Sequence, residues 1–167
     1  DGTAQADEEV AAFFGTARPW HFTAVGETVD YTGPNEWSYR RFILHQAHLC
    51  ALAGGVDAFC IGSEMRGLTW VRGADGFPAV DALRALAADV RTILPNARLS
   101  YAADWSEYFG YQPQDGSGDL YFHLDPLWAD PNIDFIGIDN YMPLSDWRDE
   151  HDHADAMWGS IYIIEYL

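Results

Sequence analysis

Apolar residues recur along this chain in two alternating patterns, and the alternation predicts its architecture. Residues 7–15 (DEEVAAFFG) read as a short helix closing on Gly15. Residues 16–34 mix aromatic and β-branched residues with turn signals, ending in Thr32-Gly33-Pro34, which predicts an irregular loop or short hairpin. Asn35 then offers a helix N-cap with Glu36 in the first turn. Phe42, Ile43, Ala47, Leu49 and Cys50 follow at helical spacing as far as Leu52, and Gly54-Gly55 stops that helix. VDAFCIGSE is the kind of run that suits a strand buried on both faces. Residues 79–94 give the clearest helix, with Leu83, Leu86, Ala87, Val90 and Ile93 on one face and Pro95 beyond its end. Residues 98–104 (RLSYAAD) predict a second strand. After a loop over 110–118, residues 119–131 carry a short helix or turn broken at Asp130-Pro131. Residues 133–139 (IDFIGID) predict a third buried strand. A polar loop over 144–156 precedes the start of another helix.

The order helix, strand, helix, strand, helical segment, strand is βαβ logic and implies an α/β fold with a parallel sheet. The strand ends fall at Glu64, Asp104 and Asp139, separated by 104 − 64 = 40 and 139 − 104 = 35 residues. A (β/α)8 barrel of about 250 residues averages about 31 residues per unit. The expected fold is therefore a partial (β/α)8 TIM barrel, with residues 1–167 as a single fragment and the remaining strands outside the chain. An opening without Met and the apolar close GSIYIIEYL favour this over a small open three-stranded sheet.

Charge narrows the partners. Nine Lys and Arg face 26 Asp and Glu, a formal charge of −17, which repels phosphate backbones and anionic lipid. Nucleic-acid binding is not expected. No apolar run approaches the roughly 18 residues of a membrane span, and the acidic start DGTAQADEEV is no signal peptide. Cys50 and Cys60 lie in apolar runs, as buried free thiols do; a single bridge between them is the alternative.

Each predicted strand ends in an acid: Glu64 in CIGSEM, Asp104 in YAADW and Asp139 in GIDNY. In parallel α/β folds the C-terminal strand ends form the active-site face. Glycoside hydrolysis needs two carboxyl groups flanking the scissile bond, one of them a proton donor. Glu64, Asp104 and Asp139 are thus the catalytic candidates, with capping of nearby helices or pairing with Arg66 and Arg148 as the competing role. Trp105, Tyr141, Asn140 and Trp70 follow these ends closely and are the substrate-binding candidates, the three aromatic ones because flat ring faces beside acids suit sugar rings. They serve equally well to pack loops.

Other chemistry finds less support. His45 and His48 lie in the second helix, and His123 either lines the cleft or packs. His151 and His153 in DEHDHAD have a metal-like look but no further ligand set, so a solvated acidic loop is expected, with no metal and no cofactor. No G-x-S-x-G, P-loop or G-x-G-x-x-G is present, and Ser63 has no readable His partner.

The runs YRRFILHQAHLCALAGGVDAFCIGSEMRGLT, LSYAADWSEYFGY and DPLWADPNIDFIGIDNYMPLSDW resemble the TIM-barrel-like domain of the large tail-tip (baseplate hub) protein of gene transfer agents and related tailed phages. The likeness covers roughly residues 30–165. That domain is similar to retaining glycoside hydrolases of the large (β/α)8 clan. The resemblance implies that 59–64, 98–104 and 133–139 are strands four to six, and that Glu64 is the acid/base at the end of the fourth. The clan usually has Asn before that Glu; here it is Ser63, which removes an expected hydrogen bond to the sugar 2-hydroxyl. The clan's nucleophile, at the end of strand seven, would lie beyond Leu167. Tyr141 matches an aromatic lining the sugar subsite. Implied partners are a glycan, either peptidoglycan or a surface polysaccharide, and other tail proteins. The implied setting is a virion or gene-transfer-particle tail, made in the bacterial cytoplasm. A non-catalytic glycan-binding or structural barrel is the alternative function.

Overall fold

The computed structural model describes residues 2–141, 145–148, 150 and 152–166. Within them the chain runs α1 (Ala4–Phe14), β1 (Phe22–Val25), β2 (Thr28–Tyr31), α2 (Tyr39–Leu52), β3 (Ala58–Ser63), α3 (Arg66–Thr69), α4 (Pro78–Ile93), β4 (Arg98–Asp104), α5 (Asp125–Trp128) and β5 (Gly137–Asp139). Short 3-10 turns occupy Pro19–His21 and Ala154–Trp158. Strands β1 and β2 form an antiparallel hairpin, one of the two forms, irregular loop or short hairpin, expected for residues 16–34. Strands β3, β4 and β5 form one parallel sheet in that order. No closed barrel is seen among the described residues; the fold is mixed α/β with a parallel three-stranded sheet.

Helix α4 is the hub of the core. Pro78 starts it at a position where no backbone N–H is needed. Its buried stripe of Ala79, Val80, Leu83, Leu86, Ala87 and Val90 packs against α1, α2, α5 and β3. Each fully buried Leu or Val there contributes about 1.5–3 kcal/mol. The largely buried Arg40 of α2 donates to Ala17 O at 3.0 Å and pairs with Asp89 of α4, which ties the two helices by charge. Among the described residues, no helix is long and apolar enough to cross a membrane.

Four expectations are corrected. The N-cap of α2 is Ser38, whose Oγ accepts from Arg41 N at 3.3 Å, and not Asn35. Glu36 instead turns back to take the amides of Thr16 at 2.8 Å and Ala17 at 3.0 Å. Second, β5 is three residues long, not seven. Ahead of it, Asp134 N still donates to Leu99 O at 2.8 Å, but the return bond goes to the Asp134 side chain, which accepts from Leu99 N at 2.7 Å, while Ser100 Oγ donates to Phe135 O at 2.6 Å. Third, burial on both faces holds only for the central strand, where Leu99, Ser100, Tyr101 and Ala103 are inaccessible. Ala58, Cys60 and Ser63 of β3 and Ile138 of β5 are exposed, because each outer strand has a neighbour on one side only. Cys50 and Cys60 are both free thiols; Cys60 is exposed rather than buried.

Candidate active site

Parallel pairing brings the ends of all three strands to one rim. Asp104 and Asp139 are register partners, and Trp105 N donates to Asp139 O at 3.0 Å. On the other side the β3–β4 register shifts between Cys60 and Ser63, so Ser63 pairs with Ala102 and Glu64 N donates to Ala102 O at 2.8 Å. Irregularities of this kind re-aim side chains where a ladder ends. The Ser63 hydroxyl reaches across β4 and donates to Asp139 Oδ2 at 2.8 Å.

Glu64 is the only non-glycine residue with positive φ among those described, at 52°. An L-residue in that region is strained and persists only where its surroundings over-determine it; such residues concentrate at functional sites. Its side chain is exposed and takes a hydrogen bond from the Tyr141 phenol, which is the main reason that phenol is held above its ordinary pKa; the Asp139 and Asp104 charges push the same way. Glu64, Asp104, Asp139 and Tyr141 therefore share one electrostatic neighbourhood.

Asp104 is held below the usual carboxylate range by hydrogen bonds from the Ser106 hydroxyl and from Ser106 N, the latter at 2.8 Å, with Arg66 adding a favourable charge. It is an anion at neutral pH, suited to stabilising positive charge rather than to donating a proton. Arg66 also donates to Ser106 Oγ. Arg148 pairs with Asp146 at 2.6 Å.

The aromatic candidates divide. Trp105 is 40% exposed and Tyr141 65% exposed, leaving ring surface at the rim, and Asn140 is exposed between the acid and Tyr141. Trp70 is different. Its ring stacks on Tyr111 at 5.2 Å with Arg66 at 5.0 Å, and its Nε1 is buried with no hydrogen-bond partner among the described residues. Trp70 belongs to a packed aromatic column continuing to Tyr121.

The described histidines His48, His123 and His153 have their contacts away from the rim acids. His48 Nε2 lies 3.1 Å from Pro19 O, and the buried His123 is 3.3 Å from Thr69 Oγ1. His153 packs edge-on against Trp147 at 4.9 Å. His151 lies outside the described residues. No group of three metal-ligating side chains occurs among the described residues.

Sequence reasoning passed over a buried group directly behind the rim. Glu107, wholly inaccessible, accepts from Thr69 Oγ1 at 2.5 Å, from the Tyr101 phenol at 2.9 Å and from Asp104 N at 3.1 Å. Burial pushes its carboxyl up, against the pull of those donors. The available signal was the spacing Asp104-Trp-Ser-Glu107. An acid three residues beyond a capping residue reaches back to that residue's amide, as in a capping box.

Comparison with curated proteins gives no match. The family model of the GTA TIM-barrel-like domain matches residues 37–167. That span takes in α2, the whole parallel sheet and every residue of the rim. The chain belongs to the family of GTA TIM-barrel-like domains.

Proposed function

We propose that this chain cleaves a cell-envelope glycan, peptidoglycan or a surface polysaccharide, as part of the tail of a gene-transfer or phage-like particle, with Glu64 donating the proton to the glycosidic oxygen. One observation carries the reading: Glu64 is held in a strained conformation at an exposed strand end, bonded to Tyr141 in the shared field of Asp104 and Asp139. Strain of about 1–3 kcal/mol is retained where position matters more than stability. A proton donor beside an ionised Asp104 is the division of labour that an oxocarbenium-like transition state requires. The exposed rings of Trp105 and Tyr141 offer stacking surface for sugars.

The test is release of reducing ends from purified peptidoglycan by the intact protein. Glu64→Gln keeps the shape and removes the transferable proton, so cleavage falls by about 10²–10⁴-fold while glycan binding persists. Cleavage at the wild-type rate by Glu64→Gln sinks the assignment. The Ser63–Asp139 bond favours a second reading, a barrel that grips glycan without cutting it, because Ser63 spends its hydroxyl inside the protein. In that case wild type and Glu64→Gln bind alike and neither releases reducing ends.

A further inference from the structure

We propose that Tyr101 and Glu107 are positioning residues, forming a buried tie that fixes the backbone behind Glu64 and Asp104 and so sets the spacing of the two rim acids. The inference rests on the acid/base reading of the rim.

The tie has two arms. In one, Met65 N donates to the Tyr101 hydroxyl at 2.8 Å, and that hydroxyl donates to Glu107 at 2.9 Å. In the other, Glu107 takes the amide of Asp104 at 3.1 Å. One carboxylate thus holds the residue after Glu64 and the backbone of Asp104 together. Thr69 Oγ1 supplies a third donor at 2.5 Å and anchors the carboxylate to α3. Tyr101, Glu107 and Thr69 all have no accessible surface, so water cannot stand in for any of these bonds.

Glu64 is consequently pinned on both sides. Its own amide is bonded to Ala102 O at 2.8 Å and the next amide to Tyr101. This is the over-determination that a φ of 52° needs. Gly62 makes room for it: a Cβ there would stand 2.7 Å from the Tyr39 hydroxyl and from Met65 Cε, and 3.2 Å from the Tyr101 ring.

The experiment uses Tyr101→Phe in the intact protein, which removes one oxygen and leaves the ring. Three readouts are taken: native-state hydrogen exchange at the Met65 amide, the melting temperature, and turnover of purified peptidoglycan. We expect faster Met65 exchange and a kcat about 100-fold lower with KM little changed, the size of effect that an ångström of misplacement produces. A lower melting temperature with Met65 protection or kcat unchanged overturns the proposal, since the hydroxyl is then only core. Should Tyr101→Phe fail to fold, Glu107→Met reads the other arm, because its unbranched side chain has no oxygen to accept: the Asp104 amide must lose protection, and its retention overturns the tie. If wild type itself shows no turnover, the acid/base reading falls separately, and the amide exchange alone decides whether the tie exists.

Discussion

Ser63 and Asp139 are joined by a 2.8 Å hydrogen bond, although β4 lies between the strands that carry them. The bond spans the sheet at the height of the rim and links its two outer strands. Ser63→Ala removes it while leaving the backbone path intact. Because both side chains meet solvent, the loss is modest, about 1 kcal/mol. It is read as a lower urea midpoint with an unchanged slope. A variant as stable as wild type would show that the contact contributes nothing to the fold.

The conformation of Glu64 makes a second prediction. A left-handed backbone costs an L-residue about 1–2 kcal/mol and costs glycine almost nothing. Glu64→Gly and Glu64→Ala lose the same carboxylate and the same Tyr141 contact, but only the first releases strain. Glu64→Gly is therefore about 1 kcal/mol more stable than Glu64→Ala by denaturant unfolding, and neither cleaves glycan. Equal stability of the two variants would mean that the position is unstrained.

The sequence made some of this legible and hid the rest for physical reasons. The helix expected over 79–94 appears at Pro78–Ile93, because its apolar stripe follows the helical period and Pro marks its start. The parallel order and the meeting of Glu64, Asp104 and Asp139 followed from where each run ended in an acid. Residues 133–136 read as strand in the sequence because an apolar run does not reveal which group fills a backbone bond. There the side chains of Asp134 and Ser100 take part of the ladder, beside one backbone bond from Asp134 N to Leu99 O. Trp70 looked like a free stacking face, since proximity to Glu64 in sequence says nothing about Tyr111, which arrives from 41 residues further on (111 − 70). Glu107 was missed because a Glu in a loop is normally solvated.

Gly137 opens β5, and its lack of a side chain is what lets that strand approach β4. A Cβ there would lie 2.9 Å from Tyr101 O, 3.2 Å from Ala102 Cα and 3.2 Å from Ser100 Oγ. Backbone atoms of a buried central strand do not yield. Gly137→Ala therefore costs about 2 kcal/mol as overpacking. It also moves Asp139 away from Ser63, so a Ser63→Ala, Gly137→Ala double variant loses less than the sum of its parts. Full additivity would disconnect the strand spacing from the rim.

Glu107 predicts a pH dependence whose sign separates it from the rest of the acidic chain. Burial raises its carboxyl above the ordinary value of 4.5, so between 4.5 and the raised value the folded state binds more proton than the unfolded state. Stability from this group is fully present below 4.5 and declines as pH rises through that window. Asp104 and Asp134, both held low by hydrogen bonds, act in the opposite sense, as does His123, which burial lowers from 6.5. The contribution of Glu107 is therefore isolated by subtraction. Unfolding free energies of wild type and Glu107→Gln, measured by urea from about pH 4 to about pH 8, give a difference curve in which wild type loses ground as pH increases above 4.5. A flat difference, or one that grows in favour of wild type with pH, would mean that Glu107 is ionised throughout and that its three donors outweigh its burial.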